Sequence, residues 1–329
     1  MTTRSQPTPG EGFSSTPPTH RRVWVDLLLY PTHTLPTAAA PLLVGIGIGI
    51  HERVPAPLPV LVAFLGSWFV HLAGVFTDNH ELLRRHPGLE EHPELSAALR
   101  DGTLRLSGLR AAIALCLALA LATAPWLYAL GGAPVLVLGA VGVAASLAYH
   151  GWPVAYVRAG LADPVFLVLF GVVGVAGTVH IQFAAAQGAQ GAAEPWRLLA
   201  GLPPATWWAG LPCGALVTSV MLVDDLRDRA WDRLKGWRTG AVRFGPRAVK
   251  AEITALVAFA VVGPVAAWLV GALGAGALAT LAAAPLAIGA VRAVRTGETP
   301  QALFPVSPRM ARLALVHSAL LGLGLALAG

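Results

Sequence analysis

The sharpest chemical signal in the chain is the run Asp224-Asp225-Leu226-Arg227-Asp228-Arg229-Ala230-Trp231-Asp232, directly after an apolar stretch. On a helix, Asp224, Asp228 and Asp232 share one face, each four residues from the next. Carboxylates stacked in this way repel one another unless a cation lies along them. Hard Mg²⁺ takes oxygen ligands and bridges carboxylates to phosphate groups, so the stripe, with Asp225 beside it, predicts a metal-bound polyanion. The plainer alternative is a solvated loop in which Arg227, Arg229 and Arg233 pair with the aspartates. Salt bridging alone, however, does not require acids at a regular four-residue step.

A weaker signal lies upstream. Thr77-Asp78-Asn79-His80-Glu81 closes an earlier apolar stretch, with Asp78 and Glu81 three apart and therefore on one helical face. Alone it would be an ordinary polar helix end; paired with the later run, it supplies an opposite wall from which carboxylates could close on one phosphate group. Lys235, Arg238 and Thr239 follow the second motif, and Tyr156 and Arg158 sit between the two. Mg²⁺ with lysine and arginine at the developing charge is the expected way to stabilise a departing diphosphate. Arg158 could equally be a charge that sets membrane topology.

The elements that must hold these residues are membrane helices. The 329-residue chain is 55% hydrophobic and 12% charged, with mean hydropathy +0.65, which argues against a water-soluble globule. Apolar segments near 34–50, 58–77, 107–130, 133–149, 161–184, 206–223, 249–270, 272–291 and 310–328 predict an all-α integral membrane bundle of about nine helices. These runs are apolar on consecutive positions, which disfavours a spanning barrel. The 36 glycines and abundant alanine let helix backbones approach closely inside a bilayer. Cys116 and Cys213 lie inside apolar runs without metal-ligand spacing and read as small core residues.

Charge adds an orientation. The formal charge of +6 gathers between apolar runs, so topology explains it and no nucleic-acid partner is implied. Gly131-Gly132 and the stretch from Gly271 to Gly274 make short uncharged turns suited to the outer face. The positive-inside rule places Arg84, Arg85, Arg100, Arg105, Arg110, Arg158, the block from Arg227 to Lys250, and Arg292 to Arg312 in the cytoplasm, with both acidic loops. Residues 1–22 are rich in Thr, Ser, Pro and Gly and predict a disordered cytoplasmic tail, leaving 23–329 as a single membrane domain.

At these residues the sequence resembles the UbiA superfamily of membrane prenyltransferases, and within it the branch that prenylates dihydroxynaphthoate. Pro31-Thr32-His33-Thr34-Leu35-Pro36 is similar to the family's opening Arg-Pro-Lys-Thr-Leu-Pro, with Tyr30 where arginine is usual. Thr77 to Glu81 stands where the family has Asn-Asp-x-x-Asp, and Gly88-Leu89-Glu90 resembles the Gly-x-Asp that follows. Tyr149 to Tyr156 and Gly171 to Gln182 are similar to the branch's fourth and fifth helices. The second motif, with Lys235-Gly236-Trp237-Arg238-Thr239 and Arg243-Phe244-Gly245, looks like Asn-Asn-x-Arg-Asp-x-x-x-Asp, then Gly-Lys-Arg-Thr, then Arg-Leu-Gly. Glutamates at 81 and 90 replace aspartates, Gly74 and Thr77 replace asparagines, and Asp224 and Asp225 replace an asparagine pair.

The resemblance implies a nine-helix fold with a lateral, lipid-facing cavity, a Mg²⁺-bound prenyl diphosphate at its cytoplasmic end and a carbocation-like donor. It implies metal ligands at Asp78, Glu81, Glu90, Asp224, Asp225, Asp228 and Asp232, of which Asp78, Glu81, Asp228 and Asp232 would be catalytic. Arg158, Lys235, Arg238 and Tyr156 would hold the diphosphate, and His33, His71 and Tyr149 would border the cavity. His150, His180 and His317, also in or beside apolar runs, read equally as partners for neighbouring helices. Two reactions remain open: transfer to an aromatic acceptor, or cyclisation of the prenyl diphosphate with no acceptor. A transporter with acidic gates would need its charges near the bilayer midplane, whereas these lie at helix ends.

Overall fold

The computed structural model describes residues 23, 24, 27, 34–86, 93–151, 154–188 and 193–327. The tail at 1–22, His33 and Glu90 lie outside the described residues, as does the first half of the opening Pro-Thr-His-Thr-Leu-Pro segment. Ten principal helices follow in order: α1 Thr34–His51, α2 Pro57–Arg85, α3 Pro93–Arg100, α4 Leu106–Gly131, α5 Ala133–Ala148, α6 Ala162–Gln187, α7 Ala205–Leu234, α8 Pro246–Leu269, α9 Ala275–Thr296 and α10 Val306–Leu327. Short helical turns at Tyr156–Ala159 and Gly240–Arg243 flank the acidic motifs.

Each apolar segment read from the sequence becomes a helix, with α3 lying in the first long polar connection. Among the described residues, eight helices are long and apolar enough to cross a bilayer, the last counted from Pro300. The remaining one, α5, has 16 residues and falls short. At about 1.5 Å per residue it spans less than the roughly 30 Å of hydrocarbon. Proline opens α2, α5 and α8, where its missing N–H costs nothing. The uncharged turns end their helices on left-handed glycines, Gly132 at φ +67° and Gly271 at φ +75°.

The bundle is organised around α7, whose apolar stretch is 83% buried, against 11% for the lipid-facing α4. It packs on α1, α6, α8 and α10. Small residues permit this crowding: a Cβ at Gly210 or Gly214 of α7 would run into the backbone of α6 at Gly171 or Leu167, and one at Gly47 of α1 would meet the backbone of Gly322 in α10. The stretch of α6 facing α7, Leu167–Val173, is wound as a π-helix, a local widening frequent at functional sites.

Buried polar side chains close the backbone accounts of these apolar helices. Pro264 has no N–H for the carbonyl of Ala260 one turn back, and His317 Nε2 of α10 donates to that oxygen at 2.8 Å. His180 Nε2 of α6 donates to the carbonyl of Gly131 at the end of α4, at 2.9 Å. Gln182 Nε2 joins α6 to α1 through the carbonyl of Gly45 at 2.8 Å. His180 and His317 are thereby helix partners.

Candidate functional site

One face of α7 changes character along its length. Val217, Val220 and Met221 line a cavity of about 230 Å³, and Asp224, Asp225, Asp228, Asp232 and Lys235 continue the same wall at three- and four-residue steps. Across from them, α2 presents His71, Gly74 and Asp78, again on one helical face. Between these walls stand Tyr149, His150 and Tyr156 from the α5–α6 connection, Phe166, Leu169 and Phe170 from α6, and Trp237 from beyond α7. The two acidic motifs, about 150 residues apart in sequence, therefore border one space with an anionic end and an apolar end.

The carboxylates are held by neighbours. Arg227 bridges Asp224 and Asp228 at 2.6 Å each, with its guanidinium 5.6 Å from the ring centre of Phe304. Ser307 Oγ at the start of α10 donates to Asp224 at 2.6 Å. Lys235 Nζ lies 3.1 Å from Asp232, and Thr239 Oγ1 donates to the other oxygen of Asp232 at 3.2 Å. On the opposite wall the ring of His150 contacts Asp78. Asp225, 6% exposed, lies in the field of further acids, Asp232, Asp163, Asp224 and Asp228.

The aromatic residues form a connected wall. Tyr149 meets Tyr156 and Phe166 at 5.5 Å between ring centres, Phe166 meets Phe170 at 5.4 Å, and Phe170 meets His71 at 6.2 Å. Burial, reinforced by the charge of Asp225, pushes the Tyr149 phenol well up, and burial does the same for Tyr156, so both remain protonated donors. Burial holds His150 well below its ordinary value, with Lys235 and Arg158 acting in the same direction. Ala155, immediately before Tyr156, is held in the left-handed region at φ +46°, a strained turn at the cavity edge.

Three sequence expectations are placed elsewhere. Glu81 does not border the cavity: its carboxylate accepts from Arg84 at 2.7 Å and from Arg85 at 2.8 Å, turned along its own helix by i+3 and i+4 neighbours. Arg238 is exposed and also stands off the cavity wall. Arg158 is half-buried outside that wall, in the field of Arg85, Glu81 and Arg84, and burial lowers its pKa. Conversely, Ser307 and Phe170 carried no spacing signal, because they reach the site only through tertiary packing, and Trp237 stood out only as one residue of the segment that follows the second motif. His150 was visible only as one of several histidines beside apolar runs.

Among the described residues, no three His, Cys, Asp or Glu side chains stand close enough together to hold a metal ion in the present arrangement. The donor set nonetheless suits one. Five aspartates border one cavity and offer only hard, anionic oxygens, the preference of Mg²⁺ rather than of a softer metal.

No family model matches the chain. It is 30% identical over 298 residues to the 1,4-dihydroxy-2-naphthoate octaprenyltransferase of Mycobacterium leprae, covering 83% of this chain and 86% of that one. The protein of the same description from Mycobacterium tuberculosis is 30% identical over 292 residues, covering 83% and 87%. Among solved structures, a UbiA homologue from Aeropyrum pernix K1 superposes with a TM-score of 0.62 at 19% identity, over 88% of this chain and 96% of that one. A UbiA homologue from Archaeoglobus fulgidus bound to GPP and Mg²⁺ gives 0.54 at 19% identity, over 90% and 98%. Nothing in these relatives supports acceptor-free cyclisation. With this likeness, and with eight helices among the described residues long and apolar enough to cross a membrane, the chain belongs to the UbiA superfamily of membrane prenyltransferases, on the side of its dihydroxynaphthoate-prenylating members.

Proposed function

We propose that this enzyme transfers a prenyl group from a prenyl diphosphate to an aromatic, naphthoate-like acceptor, releasing diphosphate. The observation that carries the reading is the face of α7, apolar at Val217, Val220 and Met221 and acidic from Asp224 to Asp232. Such a wall matches a molecule with a polyanionic head and a hydrocarbon tail. Asp78 would hold Mg²⁺ from α2, and Asp224, Asp225, Asp228 and Asp232 from α7. The metal would supply neutralisation of the head's charge and stabilisation of the departing diphosphate.

The chain's own residues do the rest. Lys235 borders the cavity beside Asp232 and adds a fixed positive charge at the head. Leu169, Phe170 and Met221 line the tail's path, and the faces of Tyr149, Phe166 and Phe170 lie where a cation developing at the allylic carbon would be steadied. The allylic C–O bond breaks with its electron pair leaving on the diphosphate; an electron-rich ring carbon of the acceptor then bonds to the allylic carbon and releases its proton. The arginine-rich ends of the helices support a cytoplasmic side for the acidic motifs.

The test is to incubate purified protein with prenyl diphosphates of several lengths, with and without dihydroxynaphthoate and Mg²⁺, and identify the lipid products. A prenylated naphthoate that requires both acceptor and metal is the expected outcome. Undiminished turnover in excess EDTA would remove the metal from this reading, and a cyclic hydrocarbon formed without acceptor would replace transfer by cyclisation.

A further inference from the structure

Trp237 is buried, at 7% exposure, yet its immediate neighbours are polar. The ammonium of Lys235 lies 3.6 Å from the centre of its indole, and the ring of His150, itself in contact with Asp78, lies 4.2 Å away. Trp237 thus stands between the two acidic motifs and touches a partner of each. The Lys235 side chain is only 1% exposed, so its charge is removed from water inside the bundle.

The local backbone explains how lysine and indole meet. The chain leaves α7 at Leu234 and turns through Gly236 at φ +74°, a left-handed conformation natural to glycine. The N–H of Trp237 then donates to the carbonyl of Asp232 at 2.8 Å, which folds the indole back beneath the lysine stem. In the Gly-Lys-Arg-Thr pattern that this segment resembles, a lysine follows the glycine. Here Trp237 occupies that position and the lysine comes just before the glycine.

We propose that Trp237 is a positioning residue for prenyl transfer, its indole forming the platform that holds Lys235 Nζ at the cavity wall against the substrate's diphosphate. The inference rests on the diphosphate reading given above. A lysine stem has four rotatable carbons and little directional preference of its own, so its location must be set by what surrounds it. Asp232, its ion-pair partner, is also one of the carboxylates suited to the metal and cannot serve both at full strength. The indole face attracts the ammonium without being a metal ligand, and so keeps the lysine in place when Asp232 turns to a metal.

Direct binding of inorganic diphosphate to the full-length detergent-solubilised protein with Mg²⁺, by calorimetry, together with KM and kcat for a prenyl diphosphate, tests this. K235A should weaken diphosphate binding and raise KM at least about tenfold. W237A should do nearly the same, W237F should stay within about threefold of the parent, and K235A/W237A should be no worse than K235A, since the ring acts only through the lysine. Recovery of about tenfold of the lost affinity in K235A/W237K would show that both positions address one point. Parental diphosphate binding by W237A, or losses in K235A and W237A that multiply in the double variant, would overturn the proposal while leaving the diphosphate reading intact. Parental binding by K235A would instead overturn that reading at Lys235, and the proposal with it.

Discussion

Asp228 and Asp232 stand at successive turns of one cavity wall, and removing a main electrostatic stabiliser from a site of this kind costs about 3–4 kcal/mol of barrier. Asp228→Ala and Asp232→Ala should each lower turnover at least about a hundredfold in folded protein; a loss below about threefold in both would place the chemistry elsewhere. Ser307 touches no substrate in this reading but donates to Asp224. Loss of such a supporting bond typically weakens metal affinity about tenfold or more, so Ser307→Ala should shift the Mg²⁺ dependence of the initial rate to higher concentration by about that factor. Glu81 gives the opposite expectation. Its carboxylate is spent on Arg84 and Arg85 at an exposed helix end, where such pairs contribute about 0–1 kcal/mol each. Mg²⁺ titrations of the parent, Glu81→Asp and Glu81→Gln should superimpose, and a displaced curve for either would return Glu81 to the metal.

At the level of elements, the apolar segments located the membrane helices because a bilayer demands long uncharged runs, and nothing else in a sequence looks like that. The stripe at 224, 228 and 232 was legible for the same kind of reason: a helix repeats at a step that spacing alone reveals. Spacing places Glu81 on the helix face of Asp78 but cannot say which neighbours its carboxylate meets. Arg84 and Arg85, on the same helix, were nearer than the cavity. Ser307 and Phe170 were illegible because each arrives by packing between elements distant in sequence, and Trp237, although next to the second motif, carried no sign that its ring would turn back toward Lys235. The partnership of Pro264 and His317 shows the same dependence. His317→Ala leaves the Ala260 carbonyl buried and unbonded, at a cost of about 1–3 kcal/mol, and should lower the thermal unfolding midpoint in detergent. In a Pro264→Ala background, the restored backbone N–H can serve that carbonyl, and the penalty for losing His317 should shrink. An unchanged penalty would mean the histidine acts by packing alone.

For the whole molecule, the arginine-rich ends of the helices and the glycine turns at Gly132 and Gly271 imply opposite sides of the membrane. Both native cysteines are buried, Cys116 at 7% and Cys213 at 0% exposure, so background labelling should be low. A cysteine introduced at Arg238 should react with an impermeant maleimide only from the inner face of oriented vesicles, and one at Gly271 only from the outer face; reversed labelling would invert the orientation. The hydrogen bond from Ser307 to Asp224 also bears on how the protein is made. Its two ends are 83 residues apart. At a synthesis rate of about 5–20 residues per second, the ribosome delivers Ser307 roughly 4–17 s after the acidic run. Throughout that interval α10 does not yet exist, and Asp224 has Arg227, three residues along its own helix, as the partner already at hand. The arginine that serves as a nearly buried counter-charge at the cavity wall in the finished enzyme is therefore the group that lets a strongly acidic helix end wait, beside a half-built bundle, for α10 to come out of the ribosome.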